Sequence, residues 1–509
     1  MLRLSSLIQN QIQRMVLSMI NSIQHFGEFG IKSLEKIIEK FMVDPKNHAE
    51  LIYGITENVV QLGLNIIAET LNKMDEELRS SIYRKAKWNI VRKDENSLLT
   101  SLGNVTYKKT LFINKETGER TYLLDQIMGL ESHARLTEDA EARILEETVE
   151  SSYRKGGKQA SIMDSVSKET VKNKIHNLRF DIDKKAPEKK KQVRILYINA
   201  DEDHVSAQCW NEKGDLKKEE NGRKNNTIMP KLIYVYEDII PENEMKKSKR
   251  KKLVNVQYFG GLYEGKENIT LWKEVAAYID RYYDSEYLER VYLCGDGANW
   301  IKAGCDWIDK SIFVLDRFHR NKYINNSVSH MLEHKKEAIY NIMDCFSFED
   351  KRKLNGIYKE LSEYADTDSK KEAIETARKY LIKNWDGIVV YNNKEDEIKG
   401  CSAEGHISHV YSSRMSSRPY GWSKRGVDKM SKLRIYYYNK GSMLELVRKQ
   451  KQPFKKVSET EKLYSLAEII TSERNRNGDL GKYVNAISYT IPYPQIKKIA
   501  NFKRHIWGL

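Results

Sequence analysis

Three short apolar runs, each followed within two residues by an aspartate, constrain the fold of this sequence more than any other feature. They are VRILYINA before Asp201, RVYLC before the Gly295-Asp296-Gly297 turn, and SIFVL before Asp316. Runs this short and this apolar are typical of buried strands. If the strands before Asp201 and Asp296 are parallel neighbours, both carboxylates emerge at the sheet edge where α/β proteins place their sites.

Two carboxylates at one sheet edge predict a site for divalent cations. They repel each other unless a cation lies between them, and their hard oxygen atoms suit Mg²⁺ or Mn²⁺. The predicted arrangement is the ribonuclease H-like plan for phosphoryl transfer with two metal ions, which needs a third acid from a later helix. Glu404, in the first turn of a predicted helix that also carries His409, is the candidate third acid. Asp203 is the alternative to Asp201 as the first acid.

Composition favours a polyanionic partner and a reducing compartment. Lys and Arg number 87 against 72 Asp and Glu, a net charge of +15, which favours a polyanionic partner, most often nucleic acid or a membrane surface. The length of 509 residues and the composition exclude a small disulfide scaffold. The five cysteines never form a CxxC pair, so we expect no structural zinc site. The first residues lack a signal-peptide pattern, and no run reaches the roughly 18 apolar residues of a membrane span. We therefore expect a cytoplasmic protein with no membrane contact.

The first 180 residues suggest a region that binds DNA. Residues 1–98 are predicted to be helical and to serve in oligomerisation, and residues 99–180 to form a β-ribbon followed by a helix-turn-helix. The ribbon's outward residues are predicted to be Lys108, Lys109 and Arg120. The third helix, capped by Ser167, has an outer face suited to DNA, comprising Lys168, Lys172, Asn173 and His176. An ordinary three-helix packing unit is the alternative.

The fold class predicted for the whole chain is α/β, a ribonuclease H-like core with an all-α insertion, plus N-terminal helical and helix-turn-helix regions. The charged segment 181–192 is the clearest domain boundary. Beyond it we predict the first part of the core at 193–317, the helical insertion at 318–400, the catalytic-Glu helix at 401–440 and a basic tail at 441–509. Arg414, Arg418 and Trp422, which follow that helix, are candidate DNA contacts.

The sequence resembles bacterial DDE transposases, and more specifically the ISLre-type insertion-sequence family, also known as an uncharacterised protein family. The segments that carry the resemblance are LLTSLGNVTYKKTLF, SKETVKNKIHNL, LYINADEDHV, VYLCGDGANWI, VLDRFHRNKYI and CSAEGHISHVYSSRMSSRPYGWS. The resemblance implies that Asp201, Asp296 and Glu404 form the triad that holds two Mg²⁺ or Mn²⁺ ions. It also implies a supporting Asp316-x-x-His319 pair, double-stranded DNA (terminal inverted repeats and target DNA) as partner, and a homo-oligomer on DNA.

Three other interpretations remain open at this stage. His330, Glu333 and His334 match the H-x-x-E-H pattern of a class of zinc proteases, which requires both histidines on one face of a helix. A regulator with a helix-turn-helix would bind DNA without needing acids at strand ends. A ribonuclease H-like nuclease would use the same acids on nucleic acid without specific terminal repeats.

Overall fold

The computed structural model describes residues 21–131, 133–180, 187–208, 217–218, 224–242, 251–394, 396–399, 403–417 and 420–451. Within these residues the chain forms two compact units, one comprising residues up to 180 together with 440–451, the other comprising 187–439. The division falls in the charged segment 181–192. Of the predicted features, Arg418 and residues 452–509 of the basic tail lie outside the described residues, as do residues 1–20.

The first unit combines helices with a three-stranded antiparallel sheet. Its elements are α1 (Asn21–His25), a π-turn (Phe26–Gly30), α2 (Ile31–Val43), α3 (His48–Ser80), α4 (Ile82–Lys87), β1 (Trp88–Leu99), β2 (Asn104–Asn114), β3 (Arg120–Tyr122), α5 (Leu123–Met128), α6 (Glu138–Glu150), α7 (Tyr153–Lys158) and α8 (Lys168–Asn177). The strands pair in the order β1-β2-β3.

Helix α3 packs on the sheet along one face and exposes apolar residues on another. Val60 and Leu64 are buried in one cluster with Val105 of β2. Asp75, fully buried, accepts hydrogen bonds from the backbone N–H and the hydroxyl of Thr110, at 2.8 and 2.7 Å. These contacts fix α3 against β2. Among the large apolar side chains that α2 and α3 expose are Met42, Val43, Ile52, Tyr53 and Val59.

By length and composition alone, α3 is long and apolar enough to cross a membrane, and it is the one such helix in the described part of the chain. Only 11% of its most apolar stretch is buried. Glu57, Asn58 and Glu69 interrupt the apolar residues of this helix, and the sequence expectation of no membrane span stays a prediction. The helices of soluble proteins that pack along one face can pass the same test, as the contacts of α3 with β2 illustrate.

The β-ribbon starts earlier than the sequence predicts. Strand β1 begins at Trp88, so residues 88–98 are strand and not helix. Most of β1 is exposed, which leaves little of the apolar alternation by which a strand is recognised; its pairing with β2 supplies the missing stabilisation. Lys109, expected to face outward, is instead buried, with its ammonium 2.5 Å from the Asp125 carboxylate.

Helices α6, α7 and α8 occupy the predicted helix-turn-helix region, with a different middle helix. Helix α6 ends at Glu150, and Gly156 and Gly157 lie buried inside α7, the short helix that follows. A Cβ atom on Gly157 would lie 2.3 Å from the carbonyl oxygen of Val166. The two glycines therefore allow α7 to approach its neighbours closely.

The last described helix, Met443–Gln450, belongs to the first unit, although the sequence grouped it with a C-terminal tail. It packs on α6, burying Met443, Leu446 and Val447. The guanidinium of Arg448 and the ammonium of Lys451 lie 2.8 and 3.1 Å from the carboxylate of Glu138. At least the start of the predicted basic tail is thus part of a folded unit.

The second unit is built on a five-stranded mixed sheet. Its strands are β4 (Ile195–Glu202), β5 (Val205–Ser206), β6 (Lys217–Lys218), β7 (Lys224–Asn225), β8 (Thr227–Ile228), β9 (Lys231–Tyr236), β10 (Asp238–Pro241), β11 (Lys251–Val254), β12 (Gln257–Gly261), β13 (Arg290–Gly295) and β14 (Ser311–Leu315). The main sheet has the order β12-β9-β4-β13-β14. Strands β4, β13 and β14 are mutually parallel, and β9 is antiparallel to both β4 and β12. The predicted α/β architecture is confirmed.

Several helices pack on this sheet, and a separate helical cluster follows its last strand. The helices are α9 (Asn268–Tyr282), α10 (Asn299–Lys302), α11 (Arg317–Ser327), α12 (Lys335–Ser347), α13 (Lys351–Glu363), α14 (Asp368–Lys383), α15 (Trp385–Lys394), α16 (Ala403–Ile407), α17 (Ser413–Met415) and α18 (Lys424–Tyr438). Helix α9 buries Trp272 and Val275 in the core of the sheet. Helices α11 to α15 form their own core, where the sequence predicts an all-α insertion.

The predicted H-x-x-E-H pattern does not lie on an α-helix. His330 is in a turn, and Glu333 and His334 are in a short 3₁₀-helix, Leu332–His334, with both side chains exposed. The i, i+4 spacing therefore does not bring the two histidines to one α-helical face. The structure gives the protease interpretation no support.

The close approach at Gly157 can be tested by its replacement with alanine. Gly157→Ala should lower the free energy of unfolding of the first unit by about 1–3 kcal/mol, because the added methyl group meets the backbone of Val166. Urea denaturation followed by circular dichroism measures the change. Gly27→Ala is the matched control, since an added Cβ there meets nothing within 4 Å. Equal stability of the two variants would contradict the packing described for α7.

Candidate active site

The three aspartates that follow the apolar runs lie at the same level along the sheet edge. Cys294 of β13 pairs with Asn199 of β4, so the register continues to Asp296 opposite Asp201. Gly295 pairs with Leu315 of β14, so Asp316 follows at the same level on the other side. All three strands are parallel, and the three aspartates therefore share one carboxyl edge.

The ionised form of Asp201 is disfavoured at this edge. Burial, together with the negative charge of Asp296, raises the pKa of the Asp201 carboxyl to about 6, and the nearby His319 opposes part of this increase. Asp296 is half-buried, and its carboxylate accepts a hydrogen bond from the backbone N–H of Ala298 at 2.8 Å. Two carboxylates that interact in a partly desolvated place favour either a shared proton or a bound cation.

Asp316 and His319 form a pair beside these two acids. The Asp316 carboxylate caps α11 by accepting from the backbone N–H of Phe318, and it lies 3.0 Å from Nδ1 of His319. This hydrogen bond raises the pKa of His319, with further contributions from the charges of Asp296 and Asp201. When protonated, the imidazole places positive charge next to the acids. The structure brings Asp316 and His319 to the predicted site.

The helical insertion holds the backbone around Asp296. The hydroxyl of Tyr380 in α14 donates a hydrogen bond to the Asp296 carbonyl at 2.5 Å, and the Tyr380 ring stacks on Tyr323, with centroids 3.7 Å apart. Gly297 has a φ of +87°, and a Cβ atom there would lie 2.3 Å from Oδ1 of the buried Asn384. The turn after β13 therefore requires glycine both for its backbone conformation and for lack of space.

The helix that bears Glu404 packs against β4. It consists of α16, a π-turn (Ser408–Ser412) and α17 in direct succession. The side chain of Glu404 lies outside the described residues, but the next turn is well fixed. His406 stacks on Tyr234, with ring centroids 4.4 Å apart, and its Nδ1 lies 2.7 Å from the hydroxyl of Tyr258. Burial lowers the pKa of His406 to about 4.

Asp203 anchors the other end of this helix. Its buried carboxylate accepts hydrogen bonds from the hydroxyls of Ser412, at 3.0 Å, and Ser416, at 2.9 Å. Asp201 makes no hydrogen bond of this kind among those resolved in the described residues and instead interacts with Asp296 and His319. The geometry therefore distinguishes the two candidates for the first acid of the triad. Asp203 holds a helix, and Asp201 faces the other acids.

The fully buried Arg434 of α18 stabilises the π-turn. A π-turn leaves carbonyl groups without their usual helical partners. The guanidinium of Arg434 donates to the carbonyl of Val410, and also to the carbonyl of His409 at 2.6 Å. Tyr438 adds a hydrogen bond to the same His409 carbonyl at 3.1 Å. His409, a predicted supporting residue, thus contributes its backbone here, while its side chain is exposed.

A metal ion is compatible with the acids at this edge. Among the side chains that the structure describes, no three His, Cys, Asp or Glu residues are grouped closely enough to hold a metal, and Glu404 is not one of those side chains. The oxygen donors of Asp201 and Asp296, partly desolvated and mutually repelling, fit a hard divalent cation. The described geometry supplies two candidate ligands, and the third depends on Glu404.

The predicted DNA contacts are divided between exposed and buried positions. On α8, Lys168 and Asn173 are exposed, while Lys172 pairs with Glu169 and His176 lies against the ring of Tyr153. In the second unit, however, Arg414 and Trp422 are each only 7% exposed, and the guanidinium lies 5.0 Å from the indole centroid. The prediction that these two side chains contact DNA therefore does not fit their burial; they pack together, and the indole N–H bonds to the Met415 carbonyl.

Several residues that shape this site escaped sequence analysis. Tyr380, Asn384 and Arg434 reach it from helices that are distant in the sequence, so no local pattern marks them. The alternating tyrosines of LIYVY in β9 are a partial signal, since a period of two places them on one face of a strand. That signal could have indicated the aromatic surface on which His406 stacks.

The pKa of Asp201 gives a pH dependence with a definite sign. A carboxyl group whose pKa rises on folding binds more protons in the folded state, so its contribution to stability falls as pH increases from about 4 to 6. Without metal, Asp201→Asn should therefore be more stable than the wild type by about 1–3 kcal/mol at pH 7.5 and equally stable near pH 4. Urea denaturation in EDTA at both pH values measures this. A difference that is independent of pH would contradict the electrostatic argument.

Asp203 should behave as a structural residue. Asp203→Ala removes the acceptor for the hydroxyls of Ser412 and Ser416, so the free energy of unfolding should fall by about 1–3 kcal/mol at pH 7. Asp306→Ala, at an exposed acid in the same unit, is the control and should change it by less than about 0.5 kcal/mol. Wild-type stability of Asp203→Ala would show that the helix does not depend on this anchor.

Comparison with known sequences places the chain in a family. A sequence model described as an uncharacterised protein family, UPF0236, matches residues 44–453. Two UPF0236 proteins of Caldanaerobacter subterraneus subsp. tengcongensis are similar over 417 residues. One is 37% identical, covering 81% of this chain and 83% of its own, and its name joins four locus designations. The other is 36% identical, covering 82% of this chain and 83% of its own, and its name joins eleven locus designations. The chain therefore belongs to the UPF0236 family.

Proposed function

We propose that this chain is a transposase of the DDE class, which cleaves and transfers DNA strands at the ends of an insertion sequence. The observation that carries the proposal is the pair of acids, Asp201 and Asp296, in register on adjacent parallel strands. Their interaction at a partly buried edge is expected where two carboxylates hold cations for phosphoryl transfer.

The order of the main sheet supports a ribonuclease H-like core. Counted along the chain, the first to fifth strands of the main sheet are β4, β9, β12, β13 and β14, and they lie side by side in the order 3-2-1-4-5. Only the second of them, β9, is antiparallel to the others. This is the arrangement of ribonuclease H-like enzymes, in which the acids of the first and fourth strands lie side by side. Asp201 and Asp296 follow those two strands, and the helix of Glu404 packs beside the first one.

Asp201, Asp296 and Glu404 would hold two Mg²⁺ or Mn²⁺ ions. When bound, such ions activate the attacking hydroxyl and stabilise the negative charge on the leaving 3′ oxygen. The chain's own residues set up this site before binding. Asp316 orients His319, whose protonated form offsets part of the repulsion between the acids, and Tyr380 fixes the backbone of Asp296. DNA strand cleavage would then follow without a covalent bond between protein and DNA.

Recognition of DNA ends is assigned in this proposal to the first unit. Exposed Lys168 and Asn173 on α8, the third helix of a helix-turn-helix, carry the donor groups that phosphates and base edges accept. Lys108 adds an exposed charge on the ribbon. The net charge of +15 favours binding to double-stranded DNA in general. A homo-oligomer on DNA and a cytoplasmic location belong to the same proposal.

The names of the relatives add an independent argument. A protein whose name joins eleven locus designations within one organism is encoded at many places in that genome. Multiplication of this kind is the expected result of a gene that moves copies of itself. A transcriptional regulator or a housekeeping nuclease gives no reason for such repetition. We therefore favour transposition over both alternatives.

The acids provide the direct test. Asp201→Ala, Asp296→Ala and Glu404→Ala should each reduce Mg²⁺-dependent cleavage of duplexes from the flanks of the coding region by about a thousandfold, since metal ions supply several kcal/mol to such reactions. Gel electrophoresis of labelled DNA measures cleavage, and a mobility-shift assay should show nearly unchanged binding. Asp306→Ala, an exposed acid away from this edge, is the control and should cleave normally.

The outcomes separate the alternatives. Binding without cleavage by the wild type, with either Mg²⁺ or Mn²⁺, would favour a regulator. Cleavage of any duplex, without preference for the flanks, would favour a nuclease. Full activity of any of the three alanine variants would remove that residue from the proposed triad.

A further inference from the structure

Helix α11 presents an unusual surface beside the three aspartates. Its eleven residues, RFHRNKYINNS, contain two arginines and a lysine but no aspartate or glutamate. The residues exposed along it are Arg317, Phe318, Asn321, Lys322, Asn325 and Asn326. Cationic and amide side chains of this kind suit phosphates and base edges. An exposed aromatic ring among them adds a flat apolar face.

Phe318 is exposed although its backbone is held in place. Its side chain is 52% exposed, while its N–H donates to the Asp316 carboxylate that caps the helix. The ring contacts His319 edge to face, with centroids 5.3 Å apart. The buried residues of α11 are Ile324 and Ser327, on a different face of the helix. The folded core of the unit therefore gives no reason for a phenylalanine at this position.

Phe318 lies a short distance from the acids at the sheet edge. Asp316 lies two strands away from Asp201 at the same level of the sheet, which corresponds to about 10 Å between backbones. Phe318 is two residues further along. Since neighbouring nucleotides of duplex DNA are about 3.4 Å apart, the distance of about 10 Å between the backbones of Asp201 and Asp316 corresponds to roughly three nucleotides.

We propose that Phe318 stacks on an unpaired nucleobase within about three nucleotides of the phosphate that is cleaved. The inference rests on the proposed function and adds a residue that positions the substrate. Stacking on an aromatic ring offsets part of the free energy needed to take a base out of the duplex. Arg317, whose guanidinium lies 4.3 Å from the ring centroid of Tyr391, is next to this surface and adds positive charge to it.

The proposal predicts a specific pattern of activity for the full-length protein. On duplexes from the flanks of its coding region, Phe318→Ala should cleave about tenfold more slowly than the wild type, and Phe318→Trp should retain most of the activity. Phe348→Ala is the matched control, because this phenylalanine is 77% exposed at the end of α12 in the helical insertion. It should cleave at the wild-type rate.

A second readout distinguishes stacking from a merely structural role. A mismatch placed within three nucleotides of the cleavage position opens the duplex in advance, so it should restore most of the rate of Phe318→Ala. A 2-aminopurine at the stacked position should change its fluorescence on binding to wild type and Phe348→Ala, but not to Phe318→Ala. Loss of rate that no mismatch restores would overturn the stacking role, as would a Phe318→Ala variant that cleaves paired DNA like the wild type.

Failure of the inference and failure of the proposed function give different results. A wild-type protein that cleaves none of these duplexes overturns the proposed function and this inference together. A wild-type protein that cleaves them while Phe318→Ala remains equally active overturns the role of Phe318 alone.

Discussion

The repulsion between two carboxylates at one sheet edge is the interaction around which the second unit is arranged. Parallel pairing of β4 with β13 fixes the register that places Asp201 opposite Asp296. Partial burial makes their mutual repulsion stronger than it would be in water. His319 is held nearby by Asp316, and in its protonated form it reduces the repulsion without removing it. What remains is an arrangement that favours binding of a positive charge.

Elements far apart in sequence keep this edge in place. The helical insertion supplies Tyr380 and Asn384 to the turn after β13, so its fold affects the position of Asp296. On the other side, the helix from α16 to α17 is fixed by Asp203 at one end and by the aromatic contacts of His406 at the other. The insertion is therefore part of the support of the site as well as an addition to the sheet.

The sequence was sufficient for the features that depend on local pattern. The strands before Asp201, Asp296 and Asp316 are recognisable because each is a short apolar run, and their common edge follows from parallel pairing. It was insufficient where long-range contacts decide. Strand β1 lacks apolar alternation because most of it is exposed, and Arg414 and Trp422 resemble DNA contacts by residue type although they are buried against each other. The choice between Asp201 and Asp203 likewise required the partners of each carboxylate.

The π-turn Ser408–Ser412 makes the number of residues in its helix a structural requirement. Each residue of an α-helix advances the chain by about 100° around the axis. Deletion of one residue from this turn would allow regular helix to form, with Ser412 and Ser416 still bound to Asp203. The backbone position of Glu404 would then rotate by about 100° relative to β4, and Arg434 would face carbonyls that already have partners. A change of length by a single residue in this segment would therefore redirect the helix that precedes it, including the backbone of Glu404.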